Sequence, residues 1–595
     1  FPRGVGQKHL GWGYGQGLLQ AMRPLLRPVS CPCLRLKPMR WGLLLLMLLV
    51  LGCRAEGLPE PYQKLDWALQ QQDILTLASL AAEPGFAGLV AARTLAANPA
   101  LSPLERAPQA LAWARFLEQS RPFEPGWDLQ AAWAQAAPLL EAAGRRTEAI
   151  EAYTHLLPSA EGVSGLRRLT SGDDLYARLY AGRAYEPLLA ILPEGVRPDL
   201  KAPALYRLGR YREAIPVYRE WAKSDPKGLY GLGWSLYLSG QQELGIQTLA
   251  GYDPRQSRFA QGAFFQSLGR IPQAIAAYRE STPEGQWRAA GLLEQAGRLR
   301  EAILLYLQLA QRGPTVPTFG DDAVYRAWVL ARQIGDGELE RQALALLTGG
   351  LAALAGKPLE PNLAPEIPPL PEEPPSIPTA RSLAQQGKAE WARGELRYAL
   401  LQATDPASKL ALIRELQALG AYRETINLAQ GLPQSRAVLQ AIYPRAYAEW
   451  VEAYAQANGL EAPLLWALIW LESHFDPLAV SRTGAQGLMQ FTRPTWEDVA
   501  RMLGETPGDR LDPRTSIRYG ARYLRWLYDR CTFVGEAERW PCAILAYNGG
   551  IGYVRRGVEA SGSLDGFLRF QEREEPREFL PSVLEAYTYY RYLYP

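Results

Sequence analysis

The segment 297–306 reads GRLREAILLY, and three other segments of the chain repeat its pattern. They are GRRTEAIEAY at 144–153, GRYREAIPVY at 209–218 and GRIPQAIAAY at 269–278. Each begins with Gly-Arg, continues with Ala-Ile and ends with Tyr. Glycine commonly ends a helix, and Ala, Ile and Tyr at this spacing fall on one face of the next helix. The pattern therefore predicts consecutive helices that pack through these faces.

The repeats are unevenly spaced along the chain. Successive copies begin 65, 60 and 28 residues apart, and only the last spacing approaches the roughly 34-residue period of tetratricopeptide repeats. A weaker copy comprises Gly420, Tyr422, Thr425 and Ile426. The segments resemble tetratricopeptide-type hairpins, so we expect an irregular α-superhelix of helical hairpins.

The composition also favours helices. The chain has 595 residues, of which 48% are hydrophobic and 21% are charged, and these fractions are ordinary for a globular protein. Frequent Ala and Leu, with few β-branched runs, favour helices over strands. At roughly 150 residues per domain, the length corresponds to about three or four domains. We therefore predict an all-α fold with several domains.

Charge is unevenly distributed and argues against nucleic acid as a partner. The net charge is +3, but residues 1–52 carry seven basic and no acidic side chains. The rest of the chain has 57 basic and 61 acidic residues. It therefore lacks the basic excess that nucleic-acid binding requires.

Residues 1–52 read as an N-terminal extension followed by a signal peptide. The apolar run LLLLMLLVL at 43–51 follows the basic residues. It is shorter than the roughly 20 residues that span a bilayer and suits a signal peptide. The sequence VLGC at 50–53 resembles a bacterial lipobox, which implies lipidation of Cys53 and a membrane anchor. The alternative is an ordinary secretory signal with an incidental cysteine. Two methionines are candidate translation starts: Met22 and Met39.

Cysteine usage agrees with export. Of five cysteines, Cys31, Cys33 and Cys53 belong to the signal region, and only Cys531 and Cys542 remain. A lone pair eleven residues apart in an exported protein indicates a disulfide; two free structural thiols are the alternative. With two cysteines and only His155 and His474 in this part of the chain, a zinc site is not expected.

A proline-rich stretch suggests the domain boundaries. Residues 357–379 contain nine prolines, which disfavour a helix and favour an extended, semi-rigid segment. Helical periodicity resumes near Ser382. We predict a superhelical domain at 53–356, a small helical linker domain at 380–440 and a further helical domain at 441–595.

A carboxylate follows an almost wholly apolar helix in the last of these domains. Pro463 suits a first helical turn, and LLWALIWL at 464–471 leads directly to Glu472. Apolar surroundings favour the protonated form of a carboxyl group, which a general acid needs. Taken alone, the segment is better explained as a helix end that reaches water.

The motifs around and after Glu472 resemble those of the lytic transglycosylases, which share a goose-lysozyme-like fold. The matching segments are ES at 472–473 with FDP at 475–477 and AVS at 479–481, GAQGLMQ at 484–490, and AYNGG at 546–550. A weaker match is EPR at 575–577, where the family usually has Thr in place of Pro576. The family also commonly has Ala at Gly549 and Arg at Tyr553. The resemblance covers about residues 443–595.

This resemblance implies an enzyme that cleaves peptidoglycan. Glu472 would be the single catalytic acid/base, and the product of cutting the β-1,4 bond after N-acetylmuramic acid would be a 1,6-anhydro sugar. No metal or other cofactor is implied, and the enzyme would act on murein glycan strands in the periplasm. The residues implied to bind substrate are Ser473, Met489, Gln490, Tyr547, Asn548 and Glu575.

Two other functions remain open at this point. One is a hydrolytic muramidase on the same fold, and the other is a helical scaffold that binds cell-wall polymers without cleaving them. The intact motifs around Glu472 and Asn548 argue against the scaffold. The chain also lacks the GxxxxGK[ST], HExxH and GxSxG patterns of other common enzyme classes.

Overall fold

The computed structural model describes residues 57–310, 320–357, 361–570 and 574–595. The predicted signal segment and Cys53 lie outside these residues. In the described parts of the chain the regular structure is helical, and the exceptions are two isolated β-bridges, Val480 with Gln486 and Gln486 with Phe491. The predicted all-α class is confirmed.

The helices in the first part of the chain are Tyr62–Gln71, Ile74–Ala81, Phe86–Ala97, Pro103–Ser120, Leu129–Ala142, Arg146–His155, Ala160–Leu169, Gly172–Ala181, Tyr185–Leu189, Pro198–Arg207, Tyr211–Ser224, Gly228–Leu238, Gln242–Leu249, Pro254–Ser267, Ile271–Arg279, Pro283–Gln295 and Leu299–Ala310. Those in the second part are Gly320–Ile334, Gly337–Leu346, Gly349–Leu354, Ser376–Gln385, Ala389–Gln402, Pro406–Ala418, Tyr422–Gln430, Arg436–Ile442, Ala448–Ala457, Ala462–Ser473, Arg493–Leu503, Pro513–Arg530, Arg539–Gly549, Ile551–Ser561, Leu564–Phe570 and Glu574–Leu593, with a 3₁₀ turn at Glu536–Glu538.

The chain divides into two compact units, each built from separate stretches of sequence. Among the described residues, the first unit comprises those from 57 to 95 together with Gln119–Glu124 and Leu363–Arg525. The second comprises Ala96–Glu118, Pro125–Asn362 and Trp526–Pro595. No helix in the described ranges is both long and apolar enough to cross a membrane.

The glycine of each sequence repeat ends a helix, as predicted. The backbone angle φ lies between 71° and 84° at Gly144, Gly209, Gly269, Gly297 and Gly420. Only glycine adopts this left-handed region without strain. In the four strong repeats the N–H of the following arginine donates to the carbonyl oxygen five residues earlier, which closes the helix end in a Schellman arrangement. The next helix then begins within two residues.

The predicted faces of the repeats are buried. The alanine and tyrosine of each strong repeat are at most 4% exposed. Three of the tyrosine hydroxyls also donate to a side chain twelve residues earlier, an arrangement that the sequence pattern did not predict. These pairs are Tyr153 with Glu141, Tyr278 with Gln266 and Tyr306 with Glu294. Each tyrosine thereby joins its own helix to the preceding one.

The proline-rich stretch differs in part from its prediction. Residues 361–373 are not helical, as expected, but the helix Ser376–Gln385 begins six residues before Ser382. Pro378 is the third residue of this helix. Proline fits there because the first N–H groups of a helix have no partner within it. Counting prolines alone therefore placed the start of the helix too late.

Candidate active site

Glu472 is the penultimate residue of the helix Ala462–Ser473. Residues 464–469 of this helix are buried, whereas Glu472 itself is half-buried. Two indole N–H groups attach the helix to the chain that precedes it. Trp466 donates to the carbonyl oxygen of Ala446 at 2.9 Å, and Trp470 donates to that of Ile442 at 2.7 Å. The Glu472 carboxylate therefore extends from a helix that two side-chain hydrogen bonds fix to the preceding segment.

A tight turn follows the helix. His474 and Phe475 have φ values of 49° and 61°, in the left-handed region that residues with side chains seldom adopt. The backbone N–H of Asp476 donates to the carbonyl oxygen of Ser473 at 3.1 Å. Its carboxylate accepts the N–H of Leu478 at 3.0 Å. Asp476 thus caps the turn that leads into Pro477, the usual role of Asp before proline.

Ser473 is directed into the helix. Its side chain is buried, and its hydroxyl donates to the carbonyl oxygen of Ile469 at 3.2 Å. This bond to the preceding turn is common for serine within helices. The hydroxyl is therefore engaged within the helix in this conformation, and a substrate contact through Ser473 stays a prediction.

Met489 is a core residue in this conformation. Its side chain is 0% exposed, and its terminal methyl would lie 2.4 Å from a Cβ atom on Gly520. Its backbone N–H donates to the hydroxyl of Ser516 at 3.2 Å. The predicted contact with a sugar therefore requires the side chain to move, since methionine here fills space against the helix Pro513–Arg530.

Gln490 organises its own loop. The amide nitrogen donates to the carbonyl oxygens of Ala479 at 3.1 Å and Gly487 at 2.8 Å. The amide oxygen is buried and has no hydrogen-bond partner among the described residues. The amide donor that the sequence suggested for the glycan is therefore used within the loop, and the amide oxygen is enclosed in this conformation.

Tyr547 and Asn548 belong to the second unit. Both are half-buried near the end of the helix Arg539–Gly549. A disulfide between Cys531 and Cys542 attaches this helix to the end of the helix Pro513–Arg530, as predicted from cysteine usage. Both cysteines are fully buried. The disulfide constrains the segment immediately before the Tyr547 motif.

The comparison with known families agrees with this geometry. Residues 449–569 match the transglycosylase SLT domain. This range, called the SLT region below, includes the helix that carries Glu472, the loop of Gln490 and the helix that carries Asn548.

Several named relatives match part of the chain. The membrane-bound lytic murein transglycosylase F of Pasteurella multocida is 31% identical over 202 residues, which is 32% of this chain and 38% of the relative. Membrane-bound lytic murein transglycosylase F 1 of Alkalilimnicola ehrlichii is 42% identical over 110 residues, 18% of this chain and 21% of the relative. The soluble lytic murein transglycosylase of Escherichia coli K12 is 30% identical over 161 residues, which is 26% of this chain and 24% of the relative. The chain thus spans less than two fifths of the length of each of these relatives.

A solved structure is similar along most of the chain. The 70-kDa soluble lytic transglycosylase of Escherichia coli aligns with 93% of this chain and 95% of its own, with 17% sequence identity and a TM-score of 0.49.

Two further residues, Glu575 and His474, lie in or near the SLT region. Glu575 lies in the helix Glu574–Leu593, and its side chain is outside the described part of the structure. His474 packs edge-on against Trp470, with ring centroids 4.8 Å apart. Burial, aided by the positive charge of Arg423, lowers the pKa of His474 to about 4. Among the described residues no group of three or more His, Cys, Asp or Glu side chains is arranged to hold a metal ion.

One interaction at the site has no counterpart in the sequence analysis. Arg423, from the helix Tyr422–Gln430, forms a nearly buried ion pair with Asp476, with 3.0 Å between Nη1 and Oδ2. The two residues are 53 positions apart in the chain. Arg423 belongs to a repeat-like segment and not to the SLT motifs, so no motif links it to Asp476. The only sequence signal for a partner is its charge at a helix position that packing buries.

Proposed function

We propose that this chain is a lytic murein transglycosylase. It would cleave the β-1,4 bond between N-acetylmuramic acid and N-acetylglucosamine in peptidoglycan, with Glu472 as the single catalytic acid/base. The proposal is supported by the match of residues 449–569 to the SLT domain and by the relatives' names. It is supported further by the position of Glu472, half-buried at the end of a buried apolar helix.

The observation that carries the reaction type is the engagement of Asp476. A retaining glycosidase normally uses two carboxylates about 5 Å apart, and an inverting one places them farther apart with a water between them. Asp476 is the carboxylate nearest to Glu472 in sequence, but it is paired with Arg423 and caps the turn at Leu478. It is therefore engaged in the structure and not available as a nucleophile or base, which supports the proposal that Glu472 acts alone.

With one carboxylate, the substrate must supply the nucleophile. Glu472 in its acid form donates a proton to the glycosidic oxygen, and the bond from that oxygen to C1 of the muramic acid breaks. The 6-hydroxyl oxygen of the same sugar then forms a bond to C1, and the Glu472 carboxylate takes the hydroxyl proton. The acid form of Glu472 is restored, no water is consumed, and the product ends in 1,6-anhydro-N-acetylmuramic acid.

The remaining site residues are assigned as part of the same proposal. Tyr547 and Asn548 would contact the glycan directly, because both side chains are partly exposed at a helix end. Gln490 would contact the glycan through its amide oxygen after a movement of the loop, because this oxygen is buried in the present conformation. Ser473 and Met489 would support the site from beneath. Glu575 is proposed as a further substrate contact. Residues 441–595 are proposed as the catalytic domain, with 53–356 as a superhelical domain, 380–440 as a linker domain and 357–379 as the segment between them.

Export and anchoring are proposed from the sequence of the first 53 residues. A signal peptide would direct the enzyme to the periplasm, and a lipid on Cys53 would anchor it to a membrane. Labelling of the expressed protein with a radioactive or clickable fatty acid tests this point. We expect the wild-type protein to carry the label and a Cys53→Ala variant to lose it. If the wild-type protein is unlabelled, the alternative of an ordinary secretory signal with an incidental cysteine is favoured.

Mass spectrometry of muropeptides released from purified murein tests the reaction itself. We expect initial products that end in 1,6-anhydro-N-acetylmuramic acid and are lighter by one water than muramidase products. Reducing muramic acid as the main initial product would assign the chain to the hydrolytic muramidases instead. No release by a folded protein would favour the binding scaffold.

A further inference from the structure

The turn that follows Glu472 has a backbone that needs support. His474 and Phe475 are consecutive residues with side chains in the left-handed region. Each is disfavoured because the Cβ atom approaches the following carbonyl oxygen. Such conformations persist only where the surrounding structure holds them, and they cluster at functional sites. Glu472 lies two residues before this turn, so a change in the turn would reach the last residues of its helix first.

Arg423 holds the far end of the turn. Its Nη1 lies 3.0 Å from Oδ2 of Asp476, and the two side chains are only 8% and 11% exposed. The other carboxylate oxygen accepts the N–H of Leu478. Removing the Arg423 charge would leave the buried Asp476 carboxylate without its charge partner, which is strongly unfavourable. The ion pair therefore restricts the position of Asp476 far more than a pair at the surface would.

The residue next to Arg423 contacts the same turn. The ring of Tyr422 lies 5.8 Å from that of Phe475, measured between centroids, and Phe475 is fully buried. Two consecutive residues of one helix thus contact two consecutive residues of the turn. One contact is apolar and the other is ionic, and both restrain the strained backbone.

Phe123 connects Arg423 to a set of buried and half-buried charges, here called the charge network. The Arg423 guanidinium lies 4.2 Å from the ring centroid of Phe123, and the N–H of Phe123 donates to Glu424 at 3.0 Å. The ion pairs behind it are Glu424–Arg397 at 2.8 Å, Arg397–Glu124 at 2.9 Å, and Arg393–Glu124. With Arg423 and Asp476 the network contains three guanidinium groups and three carboxylates, so its charges balance.

We propose that Arg423 is a positioning residue for Glu472. By holding Asp476, it keeps the left-handed turn in one conformation, and through the turn it keeps the end of the helix where the Glu472 carboxylate meets the glycosidic oxygen. Arg423 does not touch the substrate. This role rests on the proposed transglycosylase function and adds a residue from outside the SLT region to it.

The test compares variants that remove charge with one that keeps it. Arg423→Gln leaves the Asp476 carboxylate without its charge partner, which could itself destabilise the protein. The double variant Arg423→Gln/Asp476→Asn removes both charges and avoids this effect. Misplacement of a reacting group by about 1 Å can cost about 10²-fold in rate. We therefore expect kcat on soluble murein fragments to fall at least about tenfold in both variants, with KM changed less than about twofold. Arg423→Lys should recover part of the loss.

Arg393→Gln is the matched control. It removes the same charge from the same network, but at the end that pairs with Glu124 and has no contact with the turn. We expect a lower melting temperature and a kcat within about twofold of the wild type at a temperature where the protein is folded. If Arg393→Gln loses as much kcat as Arg423→Gln, the network acts only through stability and the positioning role is overturned.

Hydrogen exchange separates this inference from the proposed function. The amides of Asp476 and Leu478 should exchange faster in Arg423→Gln than in the wild type, and at the wild-type rate in Arg393→Gln. If the wild type cleaves no murein, the transglycosylase proposal fails and the catalytic role of Arg423 with it, whereas exchange still decides whether Arg423 holds the turn. A folded Arg423→Gln variant with wild-type kcat, or with wild-type exchange at the turn, overturns the inference.

Discussion

The carbonyl oxygen of Arg510 lies 2.1 Å from the position that a Cβ atom on Gly487 would occupy. Backbone atoms cannot move aside as the end of a flexible side chain can. Gly487 also has a φ of 78°, so two independent features require glycine here. Its carbonyl oxygen accepts from Gln490, and the close approach therefore sets the loop that carries one of the proposed substrate residues.

Replacing Gly487 by alanine should destabilise the protein by about 2 kcal/mol or more, because a backbone clash adds to the strain of a positive φ. Gly484→Ala is the matched control. Gly484 has a φ of 82° and no atom within 4 Å of its Cβ position, so only the strain of about 1 kcal/mol applies. Chemical denaturation measures both. Equal losses in the two variants would contradict the role assigned to Arg510.

Glu472→Gln should abolish most of the murein cleavage while the protein remains folded. Glutamine has the shape of glutamate but cannot transfer the proton, and losing a general acid/base typically reduces the rate by roughly 10²–10⁴-fold. Glu461→Gln is a suitable control, since Glu461 is exposed at the other end of the same helix and should retain activity. Release of muropeptides at the wild-type rate by the Glu472→Gln variant would remove Glu472 from the mechanism.

The disulfide should stabilise the segment before Tyr547. Cross-linking residues eleven positions apart lowers the conformational entropy of the unfolded chain. This stabilises the folded protein by on the order of 3 kcal/mol at most. The double variant Cys531→Ala/Cys542→Ala should lose stability up to this amount, as measured by denaturation. Thiol titration of the denatured, unreduced protein should find neither cysteine free. Two reactive thiols at these positions would mean that the pair is not oxidised in the protein.

His474 should make the protein less stable in acid. Burial lowers the pKa of His474 to about 4, from 6.5 in an exposed histidine. Between about pH 4 and pH 6.5, residue 474 is protonated in the unfolded chain but neutral in the folded protein. The contribution of His474 to the free energy of unfolding is therefore complete above pH 6.5 and decreases as the pH falls toward 4. The loss should be on the order of 2 kcal/mol at about pH 4.5, since one pKa unit corresponds to about 1.4 kcal/mol.

His474→Asn isolates this effect. Asparagine tolerates the left-handed backbone of residue 474 but does not titrate in this range. Denaturation at about pH 7 and about pH 4.5 should show a smaller loss in the variant than in the wild type. The same loss in both proteins would assign the acid sensitivity to other groups.

The helices and their ends were largely predictable from local sequence. The repeat glycines, such as Gly297, end helices because helix termination is decided within a few residues by backbone conformation. Buried positions such as Tyr306 follow from the helical period, which sequence alone displays. The disulfide followed from counting, because Cys531 had one available partner. All three could be predicted from local sequence patterns and composition.

Tertiary structure decided which functional side chains are exposed and which charges are paired. Motif position suggested that Ser473 and Met489 meet the substrate, but packing buries both. The pairing of Arg423 with Asp476 joins segments 53 positions apart, and no periodicity or turn signal links them. Burial and ion pairing depend on which distant segments meet once the chain is folded. The sequence therefore determined the helices and the candidate acid, Glu472, whereas the folded structure determined what holds that acid in place.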